Sequence, residues 1–435
     1  MRKWMKVAAG ISIGLLTLAL VGCGGSKKAA GDGDGKKVQI EYWHVAAESF
    51  GGSTVKELVK EFNAKHPNIV VTEKYNPDMY KGLTQNLQAA MASGKNPDVV
   101  QMGYSFLNYA AENLKYTDLN DLAKLDSKDK DYLKENFLPN ILQLAQTENG
   151  KQIGLPYSVS VPVLYYNPDI FKAAGLDPAN PPKNWAQVVA ASKQIKDKTG
   201  NMGFFMQEYA DNWAQQAIIE SNGGHMLTKV NGKVQAGFDT PEAAQAYQLM
   251  ADMVKAGNGL HATNEEGFQA YISGKVGMVC TTIGKRANFE KSAKFKVMVA
   301  PFPEFTGKRR QIPAGGNFLM CFSKDTAKQK AAWEFIKYLE SAPALTKWST
   351  GTGYLPPRKD MDKDESGFKK VIAENKNIQV ALSTMPDVVK WASFPGANGL
   401  QAEQLLIDVR DIILSGKQSA ADALHATAVK INKLL

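Results

Sequence analysis

The chain has 435 residues, of which 44% are hydrophobic and 22% charged, an ordinary composition for a globular protein. At about 100–200 residues per domain, this length predicts two or three domains or lobes. The 37 glycines and 19 prolines follow no period, which excludes a collagen-like chain. The net charge of +9 is small for a chain of this length, and the lysines and arginines are scattered along the sequence. We therefore expect no nucleic-acid partner.

The first residues predict export from the cytoplasm. Arg2, Lys3 and Lys6 precede an apolar run over 7–21, the order typical of a signal peptide and too short for the ~20 residues that span a bilayer. Residues 20–23 (LVGC) resemble the lipobox of bacterial lipoproteins, which implies cleavage before Cys23 and lipidation of its thiol. An ordinary secretory signal with a chance cysteine is the alternative.

Residues 1–22 are therefore predicted to be a lipoprotein signal peptide, and 23–37 a lipidated cysteine with a flexible tether. After Cys23 this tether has no apolar residue larger than alanine and cannot pack. Stable anchoring needs more than one acyl chain, and the resemblance implies several on Cys23. No later segment approaches 18 uninterrupted apolar residues, so the lipid is the only membrane contact expected.

From Val38 onward, short apolar strands alternate with amphipathic helices, which is typical of α/β proteins. A capping box of Thr54 and Glu57 predicts the start of the first helix. Strands are predicted at 38–42, 69–71, 99–102, 161–166, 276–280, 295–299 and 318–322. Further helices are predicted at 79–93, 184–198, 241–255, 326–339, 401–414 and 419–435.

An unusually long extended segment over 155–167 (LPYSVSVPVLYYN) carries two prolines and few charges. Pro162 has no N–H for a strand ladder, so it belongs at an edge or in a strand that leaves one sheet for another. We expect a crossing between two lobes, with a surface loop as the alternative.

The sequence contains none of the common catalytic or metal-binding motifs. It has no HExxH, no Cys/His cluster with zinc spacing, no GxSxG, no GxGxxG and no P-loop. Cys280 and Cys321 lie in apolar runs and are expected as buried thiols, with a single bridge left open. We therefore expect no enzymatic activity, metal or cofactor, although carboxylate pairs that meet only in the fold stay possible.

Five motifs in order resemble those of the family 1 extracellular solute-binding proteins of ABC importers, in particular the glycerol-3-phosphate- and sugar-binding members. They are 93–98 (SGKNPD), 161–167 (VPVLYYN), 172–178 (KAAGLDP), 181–185 (PPKNW) and 351–356 (GTGYLP). The resemblance covers Val38 to the C-terminus. It implies an α/β, two-lobed periplasmic-binding-protein type II fold with hinge strands and a ligand cleft between the lobes. The implied lobes are 38–157 with 283–340, and 158–282 with 341–435.

The resemblance implies a monomeric, lipid-anchored receptor on the outer or periplasmic side of the cell membrane. It would capture a small carbohydrate or polyol by cleft closure and deliver it to the permease. Because the chain has no P-loop, the ATPase must be a separate polypeptide. The alternatives are a receptor for glycerol-3-phosphate or its diesters, a surface carbohydrate-processing enzyme, and an adhesin or structural envelope protein.

Two tryptophans are candidate sugar-stacking residues, because sugars present a C–H face to aromatic rings. Trp43 follows the first strand at its carboxyl end, where ligands of α/β proteins bind. Trp213 lies in a polar stretch without clear amphipathic period, and the resemblance also places a tryptophan there. For both, a place in the core is the alternative.

The resemblance implies further binding residues. Tyr80 matches a ligand tyrosine before a helix, Ser160 a hinge-strand serine, and Tyr354 the tyrosine of TGYLP. Gly316 matches a backbone contact, and Thr282 lies at or beside a serine that follows a strand. Each of these positions has an ordinary scaffold role as its alternative.

The sequence departs at two positions from the binding residues that the family resemblance implies. The family's ligand glutamate falls at Tyr104, and its ligand arginine falls at Pro395 in the loop of the last lobe. An anionic phosphate favours a bidentate guanidinium, so these exchanges favour a neutral, stackable solute. Trp391 and Phe394 of the same loop are further aromatic candidates, and Lys390 is a cation that could still serve a phosphate.

Overall fold

The structure, a computed structural model, describes residues 37–207, 212–363 and 367–435. The predicted signal peptide, Cys23 and the tether up to residue 36 lie outside the described residues. Within those ranges, no helix combines the length and the apolar character that a bilayer crossing requires.

The strands form two five-stranded sheets and two two-stranded sheets. In chain order they are β1 (Val38–His44), β2 (Ile69–Tyr75), β3 (Val99–Gly103), β4 (Leu155–Ser160), β5 (Pro162–Tyr166), β6 (Met202–Met206), β7 (Leu227–Val230), β8 (Lys233–Ala236), β9 (Gly259–Leu260), β10 (Val276–Thr282), β11 (Met298–Pro301), β12 (Ile312–Pro313), β13 (Gly315–Cys321) and β14 (Val388–Val389).

Helices connect most of these strands and cover both large sheets. In chain order they are α1 (Gly52–Lys65), α2 (Met79–Ala92), α3 (Leu107–Asn113), α4 (Leu119–Ala123), α5 (Tyr132–Asn136), α6 (Pro139–Leu142), α7 (Pro168–Ala173), α8 (Trp185–Thr199), α9 (Trp213–Ser221), α10 (Pro241–Lys255), α11 (Asn264–Ile272), α12 (Arg286–Ser292), α13 (Thr326–Leu339), α14 (Ala342–Thr352), α15 (Phe368–Glu374), α16 (Lys376–Ser383), α17 (Gly399–Leu414) and α18 (Ala420–Asn432).

The first large sheet has the strand order β2-β1-β3-β13-β4. Strand β1 is parallel to β2 and β3, whereas β13 is antiparallel to β3 and β4. Every residue of β3 and β13 is buried, because helices cover both faces. On one face the ring of Phe335 from α13 meets Tyr42 edge-on at 5.1 Å, and α2 packs against β3.

The second large sheet has the order β11-β5-β10-β6-β9. Strand β5 is antiparallel to β10 and β11, and β6 is parallel to β10 and β9. Helix α8 begins where the side chain of Asn184 accepts a hydrogen bond from the backbone N–H of Gln187, as predicted. Its Trp185 packs edge-on against Phe204 of β6 at 5.9 Å.

The segment 155–167 crosses from one sheet to the other, as predicted. Strand β4 pairs with β13 in the first sheet up to Ser160, and β5 pairs with β10 and β11 in the second sheet from Pro162. Pro162 is the first residue of β5, where a missing N–H is tolerated. The surface-loop alternative is therefore wrong.

The chain returns to the first sheet between β11 and β13. Strand β11 lies within 283–340, the segment predicted for the first lobe, yet it pairs with β5 of the second sheet. Residues 158–160, predicted for the second lobe, pair with β13 of the first sheet. The lobe boundaries as a whole stay a prediction.

Two predictions of local structure are wrong. Helix α1 begins at Gly52 and not at a Thr54 capping box, because Gly51 has a φ of +89° and turns the chain into the helix two residues earlier. The strand predicted at 295–299 is instead Met298–Pro301, because its register is set by pairing with Tyr166 through Val163 on β5.

The two cysteines that the structure describes, Cys280 and Cys321, are free thiols, and both are buried. Cys280 is on β10 of the second sheet and Cys321 on β13 of the first sheet. Burial raises the pKa of each thiol, which makes both unreactive. The bridge that the sequence left open is not formed.

Candidate functional site

The nine predicted binding residues come from strands, the first turns of helices α2 and α9, and the segments between such elements. Thr282 is half-buried and the other eight are buried. They are Trp43, Tyr80, Tyr104, Ser160, Trp213, Thr282, Gly316, Tyr354 and Trp391.

Ser160, Thr282 and Gly316 meet where the two large sheets adjoin. The hydroxyl of Ser160, the last residue of β4, contacts the hydroxyl of Thr282, the last residue of β10. Gly315 pairs with Ser160 across the first sheet. Gly316 follows with a φ of +106°, and a Cβ there would collide with the carbonyl oxygen of Ser158. Only glycine fits this close approach of β13 and β4.

Tyr80 and Tyr354 are joined by three residues that the sequence did not single out. The amide of Asn317 donates a hydrogen bond to the Tyr80 hydroxyl at 3.1 Å and lies 3.4 Å from the Ser158 hydroxyl. The indole N–H of Trp348 donates to the same serine at 2.9 Å. Trp348 stacks on Tyr354 with ring centroids 5.9 Å apart. These five residues are called the tyrosine cluster below.

Trp213 and Trp391 form a second group, the tryptophan pair, with ring centroids 6.2 Å apart. The indole N–H of Trp213 donates to the carbonyl of Pro313 at 2.9 Å. The indole N–H of Trp391 donates to the side-chain oxygen of Asn212 at 3.1 Å, and the Asn212 amide donates to Glu403 at 2.9 Å. Asn212, directly before α9, and Glu403 of α17 therefore orient a ring on the loop before α17.

Strand β13 brings the tyrosine cluster and the tryptophan pair together. A Cβ at Gly315 would lie 2.8 Å from the Trp213 ring, so the ring packs directly on the strand backbone. Two residues later, Asn317 bonds to Tyr80. The structure thus connects seven of the nine predicted residues around the start of one strand.

Trp43 and Tyr104 make different contacts from the other seven. The ammonium of Lys74 lies 4.2 Å above the Trp43 ring. Tyr104 stacks on Phe318 with centroids 5.7 Å apart. Within the described parts of the chain, the Trp43 indole N–H and the Tyr104 hydroxyl have no hydrogen-bond partner. Burial raises the pKa of the Tyr104 hydroxyl, which stays protonated.

Direct hydrogen bonds link α3, which follows β3 of the first sheet, to the loop that carries Trp391. Asn108 donates through its backbone N–H to the Ser393 hydroxyl at 3.0 Å and through its amide to the Ser393 carbonyl at 3.1 Å. Glu112 accepts from the backbone N–H of Gly396 at 2.6 Å, and Asn113 donates to the Gly396 carbonyl at 3.3 Å. These bonds, called the closure contacts below, bridge the two sides of the molecule.

A lysine that the sequence did not single out lies beside the tyrosine cluster. The Lys285 ammonium is 4.7 Å from the ring of Phe50 and 5.0 Å from the ring of Phe268. The Phe50 ring is 5.5 Å from that of Tyr354. Burial lowers the pKa of the Lys285 ammonium to about 8. At pH 7 this lysine is therefore mostly protonated and carries a positive charge.

Among the residues that the structure describes, one group of acidic side chains has a spacing that could hold a metal ion, namely Asp126, Asp129 and Glu334. The ammonium of Lys337 lies 2.6 Å from a carboxylate oxygen of Asp129 and 2.8 Å from one of Glu334. The indole N–H of Trp333 also donates to Asp129 at 2.8 Å. A lysine cation thus already pairs with two of these carboxylates, and Asp126 accepts a hydrogen bond from the backbone N–H of Lys128 at 3.0 Å.

Comparison with known proteins identifies the family. Residues 47–345 match the family model described as "Bacterial extracellular solute-binding protein". The chain belongs to this family. The solute-binding protein is 27% identical over 425 residues to a protein named sn-glycerol-3-phosphate-binding periplasmic protein UgpB from Pectobacterium atrosepticum, with 91% of each chain covered. It is 25% identical to a protein of the same name from Agrobacterium fabrum, covering 89% of this chain and 90% of the relative.

Solved structures share the fold of this solute-binding protein. Maltose-bound MalE3 of T. maritima superposes with a TM-score of 0.79 at 23% identity, covering 92% of this chain and 100% of that one. UgpB from Mycobacterium tuberculosis in complex with glycerophosphocholine superposes with a TM-score of 0.78 at 21% identity, covering 91% and 98%. The α/β fold with two sheets is therefore that of two-lobed solute-binding proteins, as predicted.

Sequence reasoning missed five residues that organise the site of this solute-binding protein. A signal existed for three of them. Ser158 and Asn317 are polar residues inside otherwise apolar strands, and a buried polar group needs a partner. Glu403 likewise interrupts the apolar face of α17. Trp348 and Asn212 carry no such signal, since a tryptophan in a helix and an asparagine before one are both common.

Proposed function

We propose that this solute-binding protein is the lipid-anchored receptor of an ABC importer and that it captures a small neutral carbohydrate or polyol. A solute that touches both lobes only in the closed form shifts the open–closed equilibrium toward closure. The closed form would then deliver its solute, chemically unchanged, to a permease whose ATPase is a separate polypeptide. The relatives found by comparison are named as binding proteins, which supports a role without catalysis.

The tryptophan pair is the observation that carries the proposed solute class. Indole rings stack on the C–H faces of sugars, and a few hydrogen-bonding groups around them select hydroxyls. The nine predicted binding residues offer three tryptophans, three tyrosines and two hydroxyl side chains, but no arginine or lysine. Such a lining favours a neutral solute over a phosphate, which needs cationic donors.

Glycerol-3-phosphate or one of its diesters is the second candidate solute. Two observations favour it. A relative that aligns with 91% of this chain is named for glycerol-3-phosphate binding, and the Lys285 cation lies over Phe50, whose ring contacts Tyr354. A single lysine is a point charge without the bidentate geometry of a guanidinium, so we rank this solute second.

Thermal unfolding of the purified chain tests the proposal. The protein is melted with sugars, polyols, glycerol-3-phosphate and glycerophosphocholine, each at a series of concentrations. A solute at 100 times its Kd stabilises the folded state by about 2.7 kcal/mol, which raises Tm measurably. A shift with glycerol-3-phosphate alone would reverse our ranking of the solutes. A sugar recovered in altered form would instead support an enzyme.

Membrane anchoring through Cys23 is a separate part of the proposal. The lipobox-like residues 20–23 and the unpackable tether support it. Wild type and the variant Cys23→Ala are expressed with a radioactive fatty acid and fractionated. We expect label and membrane association in the wild type only. Label in both proteins, or in neither, would contradict lipidation of this cysteine.

A further inference from the structure

A narrow cavity lies beside the second large sheet, and none of the nine predicted binding residues lines it. Its walls come from β6 and β9 and from the helices α9, α10 and α17. The space is about 420 Å³, counted with its mouth and with the crevices between side chains. This volume is near the lower end of the ~300–1,000 Å³ range of small-molecule sites, so the cavity suits a ligand of few atoms.

Most of the cavity lining is apolar and adaptable. Phe204 of β6 and Leu414 of α17 present carbon surface on opposite walls. Three methionines line the cavity as well, namely Met206, Met250 and Met253. Methionine side chains are unbranched and flexible, so they adjust to the shape of a ligand. A short alkyl chain fits this part of the lining.

Three polar side chains also line the cavity, and all three are deeply buried. Arg410 is 1% exposed, Tyr247 2% and Gln215 4%. Among the described residues of the lining, Arg410 is the one charged side chain. The nearby carboxylate of Glu403 is not in the lining and accepts a hydrogen bond from Asn212. A buried guanidinium at a cavity wall favours a carboxylate in that cavity.

Two of these polar side chains have hydrogen-bonding capacity that the described parts of the chain leave unused. Neither the Tyr247 hydroxyl nor Oε1 of Gln215 has a partner there. Burial raises the pKa of the Tyr247 hydroxyl, which therefore stays protonated and can donate. The Gln215 amide nitrogen donates to the Gln207 carbonyl at 3.2 Å, so its oxygen is an acceptor. Because buried polar groups are normally satisfied, the lining suits a ligand that accepts from Tyr247 and donates to Gln215.

We propose that this cavity binds a short-chain hydroxy acid. The carboxylate of the acid accepts hydrogen bonds from Arg410 and Tyr247, its hydroxyl donates to Gln215, and its alkyl chain packs on the methionines. This second ligand site is independent of the solute that binds between the lobes.

Titration calorimetry with the full chain at constant ionic strength tests the site. The probes are lactate and 2-hydroxybutyrate. Propionate and butyrate are the matching acids without the hydroxyl, and lactamide and 2-hydroxybutyramide are the matching neutral amides. We expect saturable binding of at least one hydroxy acid. Its two comparison compounds should each bind at least about tenfold more weakly, a difference of about 1.4 kcal/mol.

Tyr247→Phe keeps the ring and removes only the hydroxyl, so it should weaken the hydroxy acid about tenfold. Tyr271→Phe is the matched control. Tyr271 is buried as well, its hydroxyl also has no partner among the described residues, and it does not line the cavity. This control should leave the affinity unchanged.

A second variant fills the cavity, so that the test does not depend on Tyr247→Phe folding. Leu260→Trp places a large ring in the lining from a half-buried position of β9 and should abolish binding of the hydroxy acid. Leu249→Trp, at a half-buried position of α10 outside the cavity, is its control. The Tm of each variant without ligand shows whether it folds.

Three results would overturn the proposed site. Absence of saturable binding by both hydroxy acids would leave the cavity to water. Equal binding of a hydroxy acid and either of its comparison compounds would contradict the proposed polar contacts. An affinity that neither Tyr247→Phe nor Leu260→Trp changes would place the hydroxy acid elsewhere on the protein. None of these results bears on sugar binding between the lobes, which the melting experiment tests separately.

Discussion

The tyrosine cluster and the tryptophan pair adjoin the same strand but are built differently. The tyrosine cluster rests on β4, β13 and the helices beside them, and the backbone ladder of the first sheet fixes its serine and asparagine. The tryptophan pair depends on side chains, because Trp391 lies on a loop and is oriented by Asn212, which is 179 residues away in sequence. The tyrosine cluster is therefore positioned by backbone hydrogen bonds of the sheet, whereas the tryptophan pair is positioned by side-chain hydrogen bonds.

This difference predicts where substitutions act. Changes in the tyrosine cluster should lower the free energy of unfolding, because they disturb a sheet interior. Changes around the tryptophan pair and the closure contacts should alter solute affinity more than folding. The following predictions test this division, from the largest expected effect to the smallest.

Gly316→Ala should cause the largest loss of stability. The residue has a φ of +106°, and a Cβ would collide with the Ser158 carbonyl, so β13 and β4 must separate. We expect the free energy of unfolding to fall by about 3 kcal/mol or more in urea denaturation. Gly150→Ala is the control, since its φ is +76° but its Cβ position is open, and only about 1 kcal/mol should be lost. Equal losses would contradict the predicted collision.

Glu340 should make the stability of the first-sheet side depend on pH. Its carboxyl is fully buried at the end of α13, and neither oxygen has a hydrogen-bond partner among the residues that the structure describes. Burial raises the pKa of this carboxyl well above its ordinary value, and Arg358 opposes the shift. The folded chain thus keeps a proton that the unfolded chain releases. The free energy of unfolding should fall as pH rises above the ordinary glutamate pKa, by at most about 1.4 kcal/mol per pH unit.

Glu340→Gln removes this titration while keeping the shape of the side chain. The Tm difference between variant and wild type should therefore become more positive from pH 4 to pH 8. Glu135→Gln, at an exposed position of α5, is the control and should show a constant difference. A constant difference in Glu340→Gln as well would contradict a raised pKa.

Trp391→Phe should weaken solute binding more than folding. The substitution removes the indole N–H that donates to the Asn212 oxygen. The ring at position 391 then loses an orienting hydrogen bond that contributes about 1–2 kcal/mol. We expect about a tenfold rise in Kd for the best sugar, measured by calorimetry. Trp185→Phe, in the core between Phe204 and Phe302, should lower Tm but leave Kd near that of the wild type. The reverse pattern would place the solute elsewhere.

Glu112→Ala should produce the smallest effect. It removes the acceptor for the Gly396 N–H, an exposed bond of the closure contacts, which is expected to contribute less than about 1 kcal/mol. Under the proposed closure mechanism this contact belongs to the closed form only, so Kd for the solute should rise about threefold while Tm without solute stays constant. Glu135→Ala is the control. An unchanged Kd would show that the contact does not contribute to closure.

Much of the fold could be predicted from local patterns. The predicted bounds agree with the structure to within about a turn for β3, α13 and the asparagine-capped α8. The reason is that burial periodicity and helix caps are local properties of the sequence. The crossing at Pro162 was also predicted, since a missing N–H limits where a strand can run. The start of α1 was missed, because the left-handed Gly51 overrode a local capping signal.

The candidate site was only partly predictable. Motif resemblance selected Tyr80, Ser160 and Tyr354, but the partners that join them became visible only when β4, β13 and α14 were packed together. Lys285 was missed because nothing in its sequence neighbourhood indicates that two phenyl rings from distant segments surround it.

The sequence by itself determined the alternation of strands and helices and the absence of the common catalytic motifs, because each of these depends on residues close together in the chain. For the same reason it predicts an export signal. Only the tertiary structure decided which sheet each strand joins, that Cys280 and Cys321 stay apart, and that Asn212 and Glu403 orient Trp391. The reason is physical: hydrogen bonds and ring contacts between residues more than a hundred positions apart form only after the sheets have set their distance and direction.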